Sequence, residues 1–375
     1  MKKLAVLGAS YLQLPLVNKA KEMGIYVICI AWNDDKAVCK NFADAFYDIS
    51  VINKEELLEV CLKEQIDGIT TIATDICIPT IAYVAQKMNL IGNSQKCAEL
   101  TTDKSAMRNC LQKFNIPIPK SFTVLQNEEL DEENNNLRFP LIIKPADRSG
   151  SLGVIKVFNN TEAITAINEA IQYSFSKKCV VEEFVEGAEV SVETISYQGM
   201  HEVITITDKT ITKEPYFVEL EHHQPSQLTD DIQQKIRKIA IDVLYATEVK
   251  NGASHIEMKI NSKGIFVIEI GSRMGGDFIG SDLVFLSTGF DYLKAVIEIA
   301  LGSYMQHKIN LKKQYSGVYF ISQDTKHLLE YFDKNEPFIK KKEILSNTLQ
   351  PAQSSNDRSG YIIYQSDKKE LFQKM

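Results

Sequence analysis

The hydrophobic pattern of this chain changes character near residue 115, and that change constrains the fold more than any other feature. Up to about residue 95, strand and helix signals alternate. Leu4-Ala5-Val6-Leu7 reads as a buried strand, followed by the turn Gly8-Ala9-Ser10 and a helix to about Gly24. Ile25 to Ile30 is the next strand, and Asn53 caps a helix with Glu55 and Glu56 in its first turn. Gly68 to Ile72 is a further strand, before a helix from Ile76 to Met88. Alternation of this kind predicts a parallel sheet with helices on its faces. Asn115-Ile116-Pro117-Ile118-Pro119 breaks the helix that Asp103 opens, and beyond it strands come in pairs between single helices. The expected class is α/β followed by α+β. Residues 1–95 are expected to form the parallel-sheet domain, 96–305 a mixed domain and 306–375 a small closing subdomain.

Charge and cysteine usage narrow the function classes. A net charge of −7 leaves no basic surplus for a nucleic-acid backbone. Seven scattered cysteines with no Cys-x-x-Cys pair read as buried thiols in a reducing compartment. No apolar run approaches the ~20 residues of a membrane helix. The expectation is a cytoplasmic protein without nucleic-acid or membrane partners.

Two glutamates twelve residues apart carry the chemistry. Glu257 and Glu269 each close a short apolar run, and Asn261-Ser262-Lys263-Gly264 between them is a turn signal. In such a hairpin both carboxylates can share one face. They repel each other unless a cation lies between, and Mg²⁺ takes hard oxygen ligands and shares itself with phosphates. Arg273 follows and could hold a phosphate or carboxylate bidentately. Taken alone, the pair is equally readable as two solvated strand ends.

Upstream, Lys144-Pro145-Ala146-Asp147-Arg148-Ser149-Gly150-Ser151-Leu152-Gly153 joins two strands. Gly and Ser backbones can bend around an anion and offer N–H groups to it, and Lys104 and Lys144 could bracket a phosphate chain as point charges. The bland alternative is a hairpin turn with a surface lysine. In Val181-Glu182-Glu183-Phe184-Val185, strand-end backbone groups could meet a purine edge, and an acid a few residues on could hold a ribose. The Gly8 turn is only half of a dinucleotide fingerprint, so nicotinamide binding is a weak alternative.

Together these pieces resemble the ATP-grasp superfamily over about residues 1–305. The resemblance implies a Rossmann-like pre-ATP-grasp domain followed by the ATP-grasp domain. It implies nucleotide contacts from Lys104, Lys144, Ser149, Gly150, Ser151, Gly153, Glu182, Glu183, Val185 and Glu189. Glu182 and the backbones of Glu183 and Val185 would meet the base, and Glu189 the ribose. Glu257 and Glu269 would be the metal carboxylates, with ATP and Mg²⁺ as cofactors and Mn²⁺ as a substitute. Arg273 would lie at the reacting centre. Two departures stand out: Gly271 replaces the usual asparagine of Glu-x-Asn-x-Arg, and Leu152 replaces a polar loop residue.

Phe217-Val218-Glu219 followed by His222-His223-Gln224-Pro225 is similar to the carboxylate–amine ligase branch, which includes L-amino-acid ligases. There Glu219 would hold an amino group and His222 would orient the acid or the acceptor, with a polar loop as the plain alternative. The implied activity is an ADP-forming ligase that joins a small carboxylate, amino acids included, to an amine through an acyl-phosphate; a homodimer is compatible with it. Rival readings are a purine-pathway or carbamoyl-phosphate-like enzyme acting on formate, bicarbonate or a glycinamide, and a nucleotide-binding module without turnover.

Overall fold

The alternating N-terminal third folds into a parallel sheet. In the computed structural model, which describes residues 1–127, 137–150, 152–212, 217–305 and 314–372, β1 (Lys3–Leu7), β2 (Tyr26–Ala31), β3 (Ala45–Asp48) and β4 (Gly68–Thr70) lie in the order β3-β2-β1-β4. Leu4 to Leu7 and Val27 to Ile30 are fully buried, because helices cover both faces. β3 escaped sequence reading: Ala45-Phe46-Tyr47-Asp48 is short and only half-buried. Asn53 precedes its helix but does not cap it through its side chain, which bonds Glu56 instead. After β4 the chain crosses to the rest of the molecule. Ala73 N donates to Met274 O at 3.0 Å, and Ile72 bridges Met274.

A second, antiparallel sheet contains β5 (Ser121–Leu125), β6 (Leu141–Pro145), β7 (Ile155–Val157) and β8 (Lys178–Glu183), ordered β5-β8-β6-β7. The helix Asn160–Tyr173 packs Ala163, Ile167, Ala170 and Ile171 against it. The third sheet has eight strands: β9 (Ala188–Tyr197), β10 (Met200–Ile211), β11 (Glu219–Gln224), β12 (Gly252–Asn261), β13 (Gly264–Gly271), β14 (Tyr315–Ile321), β15 (Ile339–Ile344) and β16 (Gly360–Ser366). Their order is β13-β12-β9-β10-β11-β14-β16-β15. One core lies under this sheet. There Val190, Val192, Ile206, Ile256 and Met258 meet Ile236, Ala240, Val243 and Leu244 of the helix Asp230–Ala246. The last strands extend this same sheet, with β14 paired directly to β11. Among the described residues no helix is long and apolar enough to cross a membrane, and the seven cysteines are free and buried.

Candidate active site

Strand alternation puts a charged face opposite the apolar one. His255, Glu257 and Lys259 of β12, Glu189 of β9, Lys209 of β10 and Glu219 of β11 line a cleft of about 630 Å³, to which the two antiparallel sheets and loops of the parallel-sheet domain contribute. Lys209 and Glu189 are register partners across β10 and β9, as are Glu189 and Lys259 across β9 and β12. Lys209 Nζ lies 2.7 Å from Glu257, 3.1 Å from Glu189 and 3.4 Å from Glu219. Burial alone would lower the pKa of Lys209, but the three carboxylates hold it well above the usual lysine range. The same lysine, with His255, keeps Glu257 ionised against its burial.

Glu257 and Glu269 are direct cross-strand partners in the β12–β13 hairpin. Simple alternation does not deliver this. Val267 faces the core, so Glu269, two residues on, would face it too. A β-bulge between the Glu257 and Met258 pairings leaves Ile268 as an extra residue and reverses the parity. Glu269 therefore reaches the cleft, and Ile270 returns to the core. Arg108 Nη2 donates to Ile268 O at 2.7 Å, fixing the bulge. Lys104 Nζ donates to Glu269 at 2.8 Å. Asp103 sets that lysine: its carboxylate caps the helix Lys104–Lys113 by accepting from Ala106 N at 2.9 Å. Among the described residues no third His, Cys, Asp or Glu joins the two glutamates in a ligand cluster. A two-carboxylate donor set suits Mg²⁺, which usually completes its shell with phosphate oxygens and water.

A buried charge network holds the small-sheet side of the cleft. Lys144 Nζ donates to Glu182 Oε1 at 2.5 Å, and Arg108 donates to Glu182 Oε2 through Nε at 3.1 Å and Nη2 at 2.8 Å. Burial would raise the Glu182 pKa; Arg108 and Lys144 pull it down to about 2. Burial in turn lowers that of Lys144. The Glu182 carboxylate is thus engaged with two cations, Arg108 and Lys144. Ile142, Ile211, Ile268, Phe184 and Phe217 make this part of the cleft apolar. Lys156 stands 3.7 Å and Lys259 5.0 Å from the Phe184 ring centre. Ser149 and Gly150 line the cleft, with Gly150 at φ +66°. Gly153 does not line it: at φ +72°, a Cβ there would meet Tyr173 at 2.8 Å, so packing explains that glycine. Ser151 lies outside the described residues.

Elsewhere along the cleft, Arg358, just ahead of β16, donates to Asp277 at 2.7 Å and Glu219 at 3.1 Å and stacks 3.8 Å over Phe320. His222 is buried with neither ring nitrogen hydrogen-bonded, its Nε2 3.7 Å from Asp277. Burial lowers its pKa despite Asp277. Arg273 donates Nε and Nη2 to the two oxygens of Asp75 at 2.8 and 2.7 Å. The Gly8 turn is already bonded internally: Ser10 N donates to Gln13 Oε1 at 3.1 Å and Gly8 N to Ile30 O at 3.0 Å.

Sequence reading thus named thirteen residues that do line this one cleft, and missed Lys209, Arg108, Asp75, Asp277 and Arg358. Lys209 alone left a trace, as a charge interrupting the β-branched run of β10. The others acquire their roles only through tertiary contacts.

Residues 137–282 match the family model for an ATP-grasp domain. The match covers less than half of the chain, and the fold as a whole is the ATP-grasp fold. The chain is similar to the formate-dependent phosphoribosylglycinamide formyltransferase of Prochlorococcus marinus strain NATL1A, at 30% identity over 250 residues, covering 64% of this chain and 62% of that protein. Alanine–anticapsin ligase of Bacillus subtilis is 27% identical over 245 residues, covering 59% of this chain and 51% of the ligase. The structure of L-amino acid ligase from Bacillus licheniformis superposes with a TM-score of 0.81 at 21% identity, over 98% of this chain and 94% of that one. The chain spans less than two thirds of the length of these two curated relatives.

Proposed function

We propose that this protein is an ADP-forming carboxylate–amine ligase that uses ATP and Mg²⁺. The observation that carries the reading is the opposed pair Glu257 and Glu269, each matched by a lysine, at the centre of a cleft with cations on one side and acids on the other. Glu257 and Glu269 would hold Mg²⁺ there, and the bound ion would supply neutralisation of the charge that develops on the phosphates. Lys104 and Lys144 hold the distal phosphates, and the backbones of Glu182, Glu183 and Val185 receive the base beside the Phe184 ring. Glu189 faces the ribose. A substrate carboxylate oxygen attacks the γ-phosphorus, and the β,γ-bridging oxygen leaves with ADP. The amine then attacks the acyl carbon; the bond to the phosphate oxygen breaks, and the nitrogen gives up a proton. Arg273 steadies the charge at the reacting centre, while Glu219 receives an ammonium and His222 orients its partner. No side-chain nucleophile is needed, because positioning and charge control supply the catalysis.

The purine-like reading has one specific support, the 30% identity to the formyltransferase. A phosphorylated substrate needs a free cation or unbonded N–H groups in its part of the cleft. Arg358 lies behind two carboxylates of that part, Glu219 and Asp277, and is engaged with both, which suits an amine in front of them better than a phosphate. The test is a panel of amino acids and other small acids, paired with amines, monitored for ATP-dependent phosphate release with mass spectrometry of the product. Release of ADP with a new amide mass supports the ligase. Turnover only with formate or bicarbonate and a glycinamide supports the rival.

A further inference from the structure

Gly271 stands where a side chain would collide with a loop residue of the parallel-sheet domain. A Cβ built on it would lie 2.5 Å from Asp75 Oδ1 and 3.2 Å from Arg273 Nε. Asp75 belongs to the loop after β4, almost two hundred residues earlier. It is buried, and both of its oxygens accept from one edge of the Arg273 guanidinium, at 2.8 and 2.7 Å. That loop is tied to the same segment by the Ala73–Met274 hydrogen bond of 3.0 Å and by the Ile72–Met274 bridge. Neighbouring Ser272 is held as well, by Thr101 at 2.8 Å. The space of the absent side chain and the carboxylate that fills it are therefore one arrangement.

We infer that Asp75 is the positioning residue of Arg273, supplied by the parallel-sheet domain into the volume that Gly271 leaves empty. The inference rests on the ATP-dependent reading of the cleft. A bidentate carboxylate fixes the plane of a guanidinium and therefore the direction of its remaining donors. Nε and Nη2 are engaged with Asp75, so Arg273 meets a distal phosphate with its Nη1 side. Among the described residues Nη1 makes only a long bond of 3.3 Å, to Met274 O. The arrangement also couples the parallel-sheet domain to the reacting centre: any movement of the β4 loop turns this arginine.

The test compares Kd values for Mg-ADP and for Mg-β,γ-imido-ATP by calorimetry, since their ratio reads the distal phosphate alone. Arg273→Ala and Asp75→Ala should each reduce the preference for the triphosphate by about tenfold, the scale of one charged hydrogen bond, with ADP affinity within about twofold of wild type. Asp75→Asn, which keeps an acceptor, should retain part of the preference. Gly271→Asn should lower it by at least about fivefold in the wild-type background and by no more than about twofold in Asp75→Ala, because the 2.5 Å collision with Asp75 is then gone and Arg273, no longer held by that carboxylate, can yield to the remaining contact. Unchanged ADP affinity in each variant shows that the fold is intact. Additive losses in the double variant, or a preference untouched by Asp75→Ala, overturn the inference. If the wild type binds neither nucleotide, the ATP-dependent reading falls, and the inference with it.

Discussion

The two sides of the cleft solve opposite electrostatic problems. On the small-sheet side, Lys104, Lys144 and Arg108 face Glu182 and Glu269, an excess of cation. On the large-sheet side, Lys209, Lys259 and Arg358 face Glu189, Glu219, Glu257 and Asp277, an excess of carboxylate. A triphosphate suits the first and a metal ion or an ammonium the second. Glu257 and Glu269 stand at the seam, one matched by a lysine from each side. The contrast teaches that burying charge here is not mainly a device for stability. A buried pair is costly to assemble, and removing one partner is costlier still.

That asymmetry gives the largest effect. Glu182→Gln leaves Lys144 and Arg108 buried without their carboxylate and should cost about 3–5 kcal/mol in urea unfolding, as broken buried pairs do. The pH dependence follows from the sign of the shift. The folded pKa is depressed from 4.5 to about 2. The contribution of Glu182 is therefore complete above the unfolded pKa and is lost as pH falls from about 4.5 through about 2. The stability gap between wild type and Glu182→Gln should be constant near neutrality and narrow across that acid window. A gap that widens on acidification breaks the account of this side.

At the seam, Glu257→Gln and Glu269→Gln should each lower ADP release by about a hundredfold at saturating Mg²⁺, the scale of removing one electrostatic stabiliser. Near wild-type rates in both would remove these glutamates from the metal site. Next, Lys144→Ala should weaken ATP binding by about tenfold more than AMP binding, because a charged contact to the distal phosphates exists only with ATP. Equal losses for both nucleotides would show that Lys144 serves the Glu182 network alone. The smallest effect should be that of Glu189→Ala, a loss of about threefold in ATP affinity that 2′,3′-dideoxy-ATP does not show, the scale of one hydrogen bond.

The two sides also differ in how far they could be read from residues alone. The small-sheet side was legible because Lys104, Lys144 and the Val181–Val185 segment sit close to turn signals and strand ends. The Glu257–Glu269 pairing was expected on simple alternation, yet it depends on the Ile268 bulge, which no period-two count reveals. Lys209 was unreadable as a centre because its three carboxylates come from three other strands. Arg358 and Asp75 reach cleft residues from opposite ends of the chain, Arg358 through the pairing of β16 with β14 and of β14 with β11, Asp75 through the crossing after β4. Local pattern carries the elements. The partners of a buried charge belong to topology.

The central claim is that a carboxylate oxygen, and no other nucleophile, takes the γ-phosphoryl group of ATP. The direct measurement uses the productive acid labelled with ¹⁸O in its carboxylate, with ³¹P NMR of the phosphate released on turnover with the amine. The account predicts ADP as the sole nucleotide product and one ¹⁸O atom transferred into each phosphate. AMP with pyrophosphate, or ADP with unlabelled phosphate, would contradict it.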